Sequence, residues 1–235
     1  MTDQTMTDDK RLAGQGSFFG RRKGKALRPH QADLFGTLLP RLTVDPARPC
    51  DLAGLFPRAL DGYVLEIGFG GGEHLVREAT AHPHLGFVGV EPFVNGMAKM
   101  LAEIERGTID NVRLHTQDAG LLLPWFPDAS LDIVYLLYPD PWPKTRHHKR
   151  RFVSDRTVAE FARVLKPGGE FRFATDIDHY AEWTLAHLMR EPAFAFAATR
   201  AADWKTPWAG WQSTRYEAKA LREGRTPCYL TFRRL

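Results

Sequence analysis

The sequence is poor in cysteine and has no long apolar run. Its 235 residues include only two cysteines, Cys50 and Cys228, which cannot form a disulfide framework, so a reducing compartment is expected. No apolar segment is long enough to span a bilayer, which argues against a membrane protein. The first eleven residues are polar and lack the apolar centre of a signal peptide. These absences predict a cytoplasmic protein that does not bind a membrane.

Net charge is low, at +4, but the positive charge is concentrated in two segments. The stretch between Asp9 and Asp33 contains no acidic residue and seven basic ones: Lys10, Arg11, Arg21, Arg22, Lys23, Lys25 and Arg28. Residues 144–151 contain five more: Lys144, Arg146, Lys149, Arg150 and Arg151. The rest of the chain is therefore net acidic. Two basic segments on an acidic body indicate a polyanionic partner, although a solvated tail and a solvated helix start would show the same pattern.

Apolar runs alternate with segments of helical periodicity from about residue 62 to residue 190. This alternation predicts an α/β protein with a doubly wound, mostly parallel seven-stranded sheet and helices on both faces. The last two strands are predicted in "FAFAAT" and "CYLTFRR", with a helix between them. An early helix around Leu34 is expected to end at Pro40. We expect residues 1–30 to be a flexible basic leader that orders on its partner, and 31–235 to be a single domain.

A glycine-rich loop follows the first predicted strand, in "LEIGFGGGEHL". Gly68 and Gly70 allow a sharp turn and a close approach of a ligand to the backbone. The G-x-G-x-x-G pattern of dinucleotide-binding proteins fails, because Glu73 stands where its third glycine is required. Together with Glu66, the loop favours the cationic cofactor S-adenosylmethionine (SAM). A nicotinamide cofactor or a purely structural turn are the alternatives.

Acidic residues also end the next strands. Glu91 ends the second strand, where a carboxylate can accept hydrogen bonds from ribose hydroxyls, and Asp118 ends the third, near the expected adenine. Because the carboxyl ends of parallel strands meet at one edge of a sheet, we expect Glu66, Gly68, Gly70, Glu91 and Asp118 to form one cofactor site.

The fourth strand runs into "YPDPWPKTRHHKRR". Each of the three prolines at 139, 141 and 143 fixes its own φ and restricts the residue before it, so Asp140 and Trp142 are expected in one rigid corner. Asp140 would lie where methyl donor and acceptor meet and contact the cofactor as well. The alternative is a purely structural role, in which the prolines end the strand and Trp142 packs in the core.

These motifs resemble the bacterial tRNA (guanine-N7-)-methyltransferases. The resemblance covers nearly the whole chain from about Ser17, and its most specific parts are "PDPWPK" and the later "STRYEAKALREG". It implies a Rossmann-like class I methyltransferase fold, SAM as cofactor, a guanine in the variable loop of tRNA as substrate, and Asp140 as catalytic residue. It also implies a substrate-binding role for a set of residues beyond the corner: Lys144, Asp176, Thr214, Arg215, Tyr216 and Glu217.

The basic run after the corner is expected to meet RNA phosphates, which position RNA without reading its sequence. The expected contacts are Arg146, His147, His148, Lys149, Arg150 and Arg151. Glu217 could accept hydrogen bonds from guanine N1 and N2, with Asp176 sharing the task; alternatively, Glu217 and Thr214 form a helix capping box. The two adjacent histidines lack further ligands at sensible spacing, so no metal is expected.

Two other functions remain open from sequence. One is a SAM enzyme for an exocyclic amine or a small molecule, although amine methylases often carry [DN]-P-P-[FYW] rather than Asp-Pro-Trp-Pro. The other is an RNA-binding module that has lost catalysis, which the intact loop, Glu91 and Asp140 argue against. We expect a monomer or homodimer without an obligate protein partner.

Overall fold

The computed structural model describes residues 19–235. The expected basic residues Lys10 and Arg11, and the start of the family resemblance at Ser17, lie outside the described residues. Seven strands form one sheet in the order β3-β2-β1-β4-β5-β7-β6, with β7 antiparallel to both neighbours and the other pairings parallel. The strands are β1 Gly62–Ile67, β2 Leu85–Val90, β3 Val112–His115, β4 Leu131–Leu137, β5 Leu165–Thr175, β6 Phe194–Phe196 and β7 Cys228–Arg234.

Helices connect the strands and cover both faces of the sheet. They are α1 Pro29–Thr37, α2 Leu39–Leu42, α3 Glu73–Ala81, α4 Val94–Gly107, α5 Ala119–Leu122, α6 Asp155–Val164, α7 Asp178–Leu188, α8 Ala201–Lys205 and α9 Arg215–Arg222. Short 3₁₀ helices span Leu123–Trp125 and Thr145–Arg150. Within residues 19–235, no helix is long and apolar enough to cross a membrane.

The two apolar cores follow the period-2 alternation of buried strands. Leu65 and Val134 face a core with α6 and α7, in which the rings of Phe161 and Phe171 stack at 4.5 Å. The neighbouring strand residues, such as Val64, face the opposite core with α1, α3 and α4. Burial on both faces explains why the central strands read as continuous apolar runs in the sequence.

The first helix differs from expectation at Pro40. Helix α1 ends at Thr37, and Pro40 lies in the first turn of the short helix α2. Proline is tolerated in a first turn because its missing N–H would have no helical partner there. Pro40 therefore belongs to a second helix and does not end the first.

The described part of the leader is docked on the body. The Gly24 amide donates to Asn95 Oδ1 at 2.7 Å, and Asn95 Nδ2 donates to the Lys25 carbonyl at 2.7 Å. The Val94 amide donates to the Arg22 carbonyl. Arg22, Gly24 and Lys25 thus contact the start of α4. Ordering of the leader on RNA stays a prediction.

Candidate active site

A cavity of about 350 Å³ opens at the carboxyl edge of the sheet, beside the ends of β1, β2 and β4. Part of its wall is apolar, with Ile67, Val90, Leu136 and Phe152. Of the residues expected to act in the site, seven line it: Gly68, Gly70, Glu91, Asp118, Asp140, Arg150 and Tyr216. Most of the residues that were predicted to bind the cofactor from their place at the strand ends therefore line one cavity.

The glycine loop makes tight backbone contacts. Gly70 has a φ of +59°, and a Cβ there would lie 3.0 Å from Arg215 Nη2 and 3.3 Å from the Tyr216 ring. On the other side, a Cβ on Gly96 of α4 would lie 2.2 Å from the Gly70 carbonyl oxygen. The loop is therefore packed between the start of α9 and the first turn of α4, and glycine is needed at both contacts.

Glu91 braces this loop from the end of β2. One carboxylate oxygen accepts from the Gly70 amide at 2.7 Å and the other from the Phe93 amide at 2.8 Å. Burial raises the pKa of Glu91, and the Asp140 charge raises it further, against the two amides and the Arg215 guanidinium, which lower it. Desolvation is therefore the main reason that Glu91 takes up a proton more readily than a free glutamate.

Asp118 caps α5 at the end of β3. Its Oδ1 accepts from the Gly120 amide at 2.7 Å. Burial raises the pKa of Asp118, and the amide together with the charges of Arg156 and Arg22 offsets this only in part. A second carboxylate in the same cavity therefore favours a cationic ligand.

Asp140 lies at the mouth of the cavity, with an exposed side chain. Even so, desolvation by the surrounding walls raises the pKa of Asp140. The corner that holds it is strained: Tyr138 and Trp142 have φ of +50° and +42°, a region that non-glycine residues seldom adopt. Such backbone strain is typical of functional sites, and it fixes where Asp140 and Trp142 lie.

Comparisons with known proteins identify the family. A family model described as "Putative methyltransferase" matches residues 61–230. A tRNA (guanine-N(7)-)-methyltransferase of Nitrobacter hamburgensis is 60% identical over 224 residues, covering 94% of this chain and 88% of its own. One of Rhizobium meliloti is 57% identical over 232 residues, covering 97% and 100%. The chain belongs to the tRNA (guanine-N(7)-)-methyltransferase family.

Solved structures support the same fold. The 16S rRNA methyltransferase KamB has a TM-score of 0.55 at 16% identity, covering 78% of this chain and 91% of its own. An rRNA methylase from Streptococcus thermophilus has a TM-score of 0.51 at 13% identity, covering 78% and 92%. At such identities the likeness concerns the fold alone. The predicted Rossmann-like methyltransferase fold of this family member is confirmed.

Glu66 was expected in the cofactor site from its place at the end of β1, but it lies outside the cavity. It is 2% exposed and does not line the cavity. Its Oε2 lies 2.7 Å from Nδ1 of the equally buried His74, at the start of α3. His74 in turn packs against the rings of Tyr135 and Trp211. Glu66 thus ties the strand to the helix behind the glycine loop.

The segment "STRYEAKALREG", to which the family resemblance assigns substrate binding, packs against the body of the protein. The Thr214 hydroxyl accepts from the Glu217 amide at 3.2 Å, which is half of the capping box considered from sequence. The Glu217 carboxylate is 4% exposed and accepts from Trp211 Nε1 at 2.7 Å and from the Tyr229 hydroxyl. Recognition of guanine by Glu217 therefore requires this segment to rearrange. The carboxylate of Asp176 is likewise paired within the protein, because Arg225 Nε donates to it at 2.5 Å.

The basic run divides into an exposed part and a buried part. It forms a 3₁₀ helix, so it is not the start of α6, which Ser154 caps. Lys144, Arg146 and Lys149 are exposed and do not line the cavity. Arg151 is only 5% exposed, and its Nε donates to the Pro141 carbonyl at 3.0 Å. The expected phosphate contact of Arg151 is therefore corrected: this residue supports the corner.

The two histidines of the run also differ in position. The ring of His148 packs against Trp183 at 5.3 Å, and that of His147 meets Trp142 edge-on at 6.0 Å. Desolvation and the neighbouring cations, Arg150 first among them, lower the pKa of His147. His147 is therefore a poor phosphate partner at neutral pH.

Arg151 and Lys149 provide a matched test of the difference between the buried and the exposed residues of the basic run. We expect Arg151→Lys to lower the free energy of unfolding by about 1–3 kcal/mol, because lysine cannot keep the bond to the Pro141 carbonyl and the stacking on Tyr180 and Trp183. Lys149→Ala should leave stability unchanged and reduce the salt dependence of RNA binding by about one phosphate contact. Urea titration and filter binding at several salt concentrations measure both. An unchanged unfolding midpoint for Arg151→Lys would contradict the correction.

Besides the apolar wall, the residues of the site that were not assigned to it from sequence include Phe19, Arg21 and Gly96. Phe19 and Arg21 line the cavity from the leader, and Gly96 contacts the glycine loop from α4. The sequence placed Arg21 in a segment for RNA phosphates only. No local pattern marks Phe19 or Gly96, because their roles depend on residues more than twenty positions away in the chain.

Proposed function

We propose that this protein transfers the methyl group of SAM to N7 of a guanine in the variable loop of tRNA, in the cytoplasm. Relatives of this chain over nearly their full length are named for methyl transfer to guanine N7 of tRNA. The observation that carries the proposal is the meeting of Glu91, Asp118 and Asp140 in one cavity, beside an exposed basic segment.

The chemistry of the cavity fits SAM. The cofactor carries a permanent sulfonium charge and an ammonium group, and it would supply an electrophilic methyl group there. Glu91 and Asp118 would hold it, because both are buried carboxylates whose pKa values are raised by desolvation, and a cationic ligand would offset that desolvation. The apolar wall with Ile67, Val90 and Phe152 suits an adenine ring.

Asp140 would orient the acceptor and stabilise charge. Guanine N7 carries an in-plane lone pair and no proton, so no base is needed to create the nucleophile. SAM would supply the methyl group and leave as a neutral thioether with the electron pair of the broken bond, so that the new bond at N7 would place the positive charge on the purine. A carboxylate at the mouth of the cavity stabilises that charge as it develops.

The exposed basic residues would position the RNA. Lys144, Arg146 and Lys149 lie beside the corner, where phosphates flanking the target base would pass. These contacts carry no base specificity. A base stacked in folded tRNA must leave its stack to reach Asp140, which costs a few kcal/mol that phosphate contacts can offset.

SAM binding should depend on pH and release protons. The ordinary pKa values are 4.5 for Glu91 and 3.8 for Asp118 and Asp140, and all three are raised in the free protein. A cationic ligand favours the ionised carboxylates and lowers these values again. Affinity should therefore fall as pH drops toward the raised values, by up to about tenfold per pH unit for each carboxylate protonated.

Titration calorimetry in two buffers of different ionisation enthalpy measures this proton release. Asp118→Asn should release fewer protons than the unmodified protein.

The raised pKa values of these carboxyls have the opposite effect on the stability of the free protein. Each carboxyl binds a proton more readily in the folded state, so each makes the free protein less stable as pH rises through the raised value. A SAM affinity that stays constant as pH is lowered from neutral toward the ordinary carboxyl values would contradict the assignment of these carboxylates.

The reaction itself is tested by tritium transfer from labelled SAM to tRNA that lacks modification, followed by nucleoside analysis. The proposal expects the label in 7-methylguanosine. Label in another nucleoside would retain the fold and the cofactor but reject the assignment of N7. Absence of label with SAM binding intact would reject tRNA as substrate.

A further inference from the structure

We propose that Phe19 and Trp142 form the stacking slot for the target purine and that Arg150, whose guanidinium contacts both rings in this structure, occupies the slot until the base displaces it. The inference rests on the proposed function and adds to it the residues that hold the acceptor. It concerns an aromatic slot for a planar cation at the mouth of the same cavity as Asp140.

The guanidinium of Arg150 contacts both rings. Its Cζ lies 5.2 Å from the ring centroid of Phe19 and 5.0 Å from that of Trp142, within cation–π distance of each. All three side chains line the cavity. Arg150 Nε is buried and has no hydrogen-bond partner among residues 19–235, and within that range Arg150 forms no ion pair. A buried guanidinium nitrogen without a partner is costly, so this arrangement is suited to replacement.

The neighbouring Arg151 shows what a structural arginine looks like in the same segment. It also stacks on two rings, Tyr180 at 5.0 Å and Trp183 at 4.9 Å. Unlike Arg150, it donates from Nε to the Pro141 carbonyl at 3.0 Å, and its Nη2 lies 2.8 Å from His179 Nδ1. Arg151 is held by hydrogen bonds and stacking, whereas Arg150 is held in the described structure by stacking alone.

One wall of the slot is rigid and the other belongs to the leader. Trp142 is fixed by the prolines on either side and by its positive φ. Phe19 is 44% exposed and lies at the start of the described chain. A base can thus enter against a preformed ring, and the leader can adjust to cover its second face.

The charge of the reacting purine explains why a guanidinium fits this slot. Guanine is planar and neutral before the reaction, and 7-methylguanine is planar and cationic after it. Rings that hold a guanidinium in the resting protein would hold the purine more tightly as its positive charge develops, which is the differential binding that speeds a reaction. The displaced Arg150 lies beside Lys149 and would be free to meet a phosphate.

Binding of nucleosides without phosphates isolates the slot. The cofactor site is first filled with S-adenosylhomocysteine, and the protein is then titrated calorimetrically with 7-methylguanosine and with guanosine. We expect 7-methylguanosine to bind about tenfold more tightly than guanosine. Arg150→Ala should tighten 7-methylguanosine binding by roughly five- to tenfold, because the slot no longer has to be emptied.

The matched control is Lys149→Ala, which removes the same charge from the adjacent, exposed position. It should leave nucleoside binding within about twofold, so that any larger gain in Arg150→Ala reports the slot and not the net charge. Phe19→Leu should weaken 7-methylguanosine binding and leave the fold intact, since Phe19 lies in the leader. Trp142→Phe should retain binding that Trp142→Leu loses.

Two results would overturn the inference: equal or weaker binding of 7-methylguanosine by Arg150→Ala than by Lys149→Ala, or no loss of binding in Phe19→Leu. Its failure is separable from that of the proposed function. If the unmodified protein forms 7-methylguanosine in tRNA while the nucleoside titrations fail, only the slot is wrong. If it forms none, the proposed function fails and the slot fails with it.

Discussion

Asp140→Asn is expected to lower the kcat of methyl transfer to tRNA by about 10²–10³-fold, because the amide cannot stabilise positive charge developing on the purine. The side chain is exposed at the mouth of the cavity, so the melting temperature should hardly change. The unmodified protein should lose activity at low pH as Asp140 takes up a proton, and the variant should lack that part of the pH profile. Single-turnover methylation of tRNA across pH, with thermal unfolding in parallel, measures both.

Asp33→Asn is the matched control for this substitution. Asp33 is exposed on α1 and does not line the cavity, so the variant should keep the activity of the unmodified protein. An Asp140→Asn protein with unchanged kcat would contradict the assigned role. A loss of kcat accompanied by a fall in melting temperature of the same order as in a core variant would mean that Asp140 supports the fold.

Gly96→Ala should abolish most SAM binding, with affinity lowered by about 10²-fold. The new methyl group would lie 2.2 Å from the Gly70 carbonyl oxygen and 3.2 Å from Glu91 Cγ. The first of these contacts is backbone and cannot rotate away, so α4 or the glycine loop must move. Overpacking of this kind also costs about 1–3 kcal/mol of stability. Calorimetric titration with SAM and urea unfolding separate the two effects.

Gly36→Ala makes the same chemical change at a helical glycine with open space. Nothing lies within 4 Å of a Cβ at Gly36 in α1. It should bind SAM normally and gain about 0.4–1 kcal/mol of stability, because alanine is the better helix former and has less freedom in the unfolded chain. If Gly96→Ala binds SAM as well as Gly36→Ala does, the glycine loop does not depend on its contact with α4.

The strands and the acidic strand ends could be predicted because both follow from short-range patterns. Parallel strands buried on both faces leave apolar runs, and their carboxyl ends share one edge of the sheet. That topology alone brings Glu91, Asp118 and Asp140 together, although they are far apart in the chain. The corner around Trp142 could be predicted as rigid because proline restricts φ wherever it stands.

The rest of the site depends on tertiary contacts that no local sequence pattern indicates. Glu217 was expected to face guanine, but Trp211 and Tyr229 occupy its carboxylate. Arg151 was grouped with its exposed neighbours because charge counts do not distinguish a guanidinium on the surface from one stacked on Trp183. Phe19 reaches the cavity through docking of the leader, a contact set by tertiary structure.

The central claim is that the corner at Asp140 presents N7 of a tRNA guanine to the methyl donor. The most direct test compares two tRNA transcripts, one ordinary and one in which 7-deazaguanine replaces guanine throughout, so that a carbon stands in place of N7. The account predicts label from SAM in the ordinary transcript and none in the substituted one, at equal binding of both. Equal labelling of the two transcripts would contradict it, because methyl transfer would then be directed to another atom.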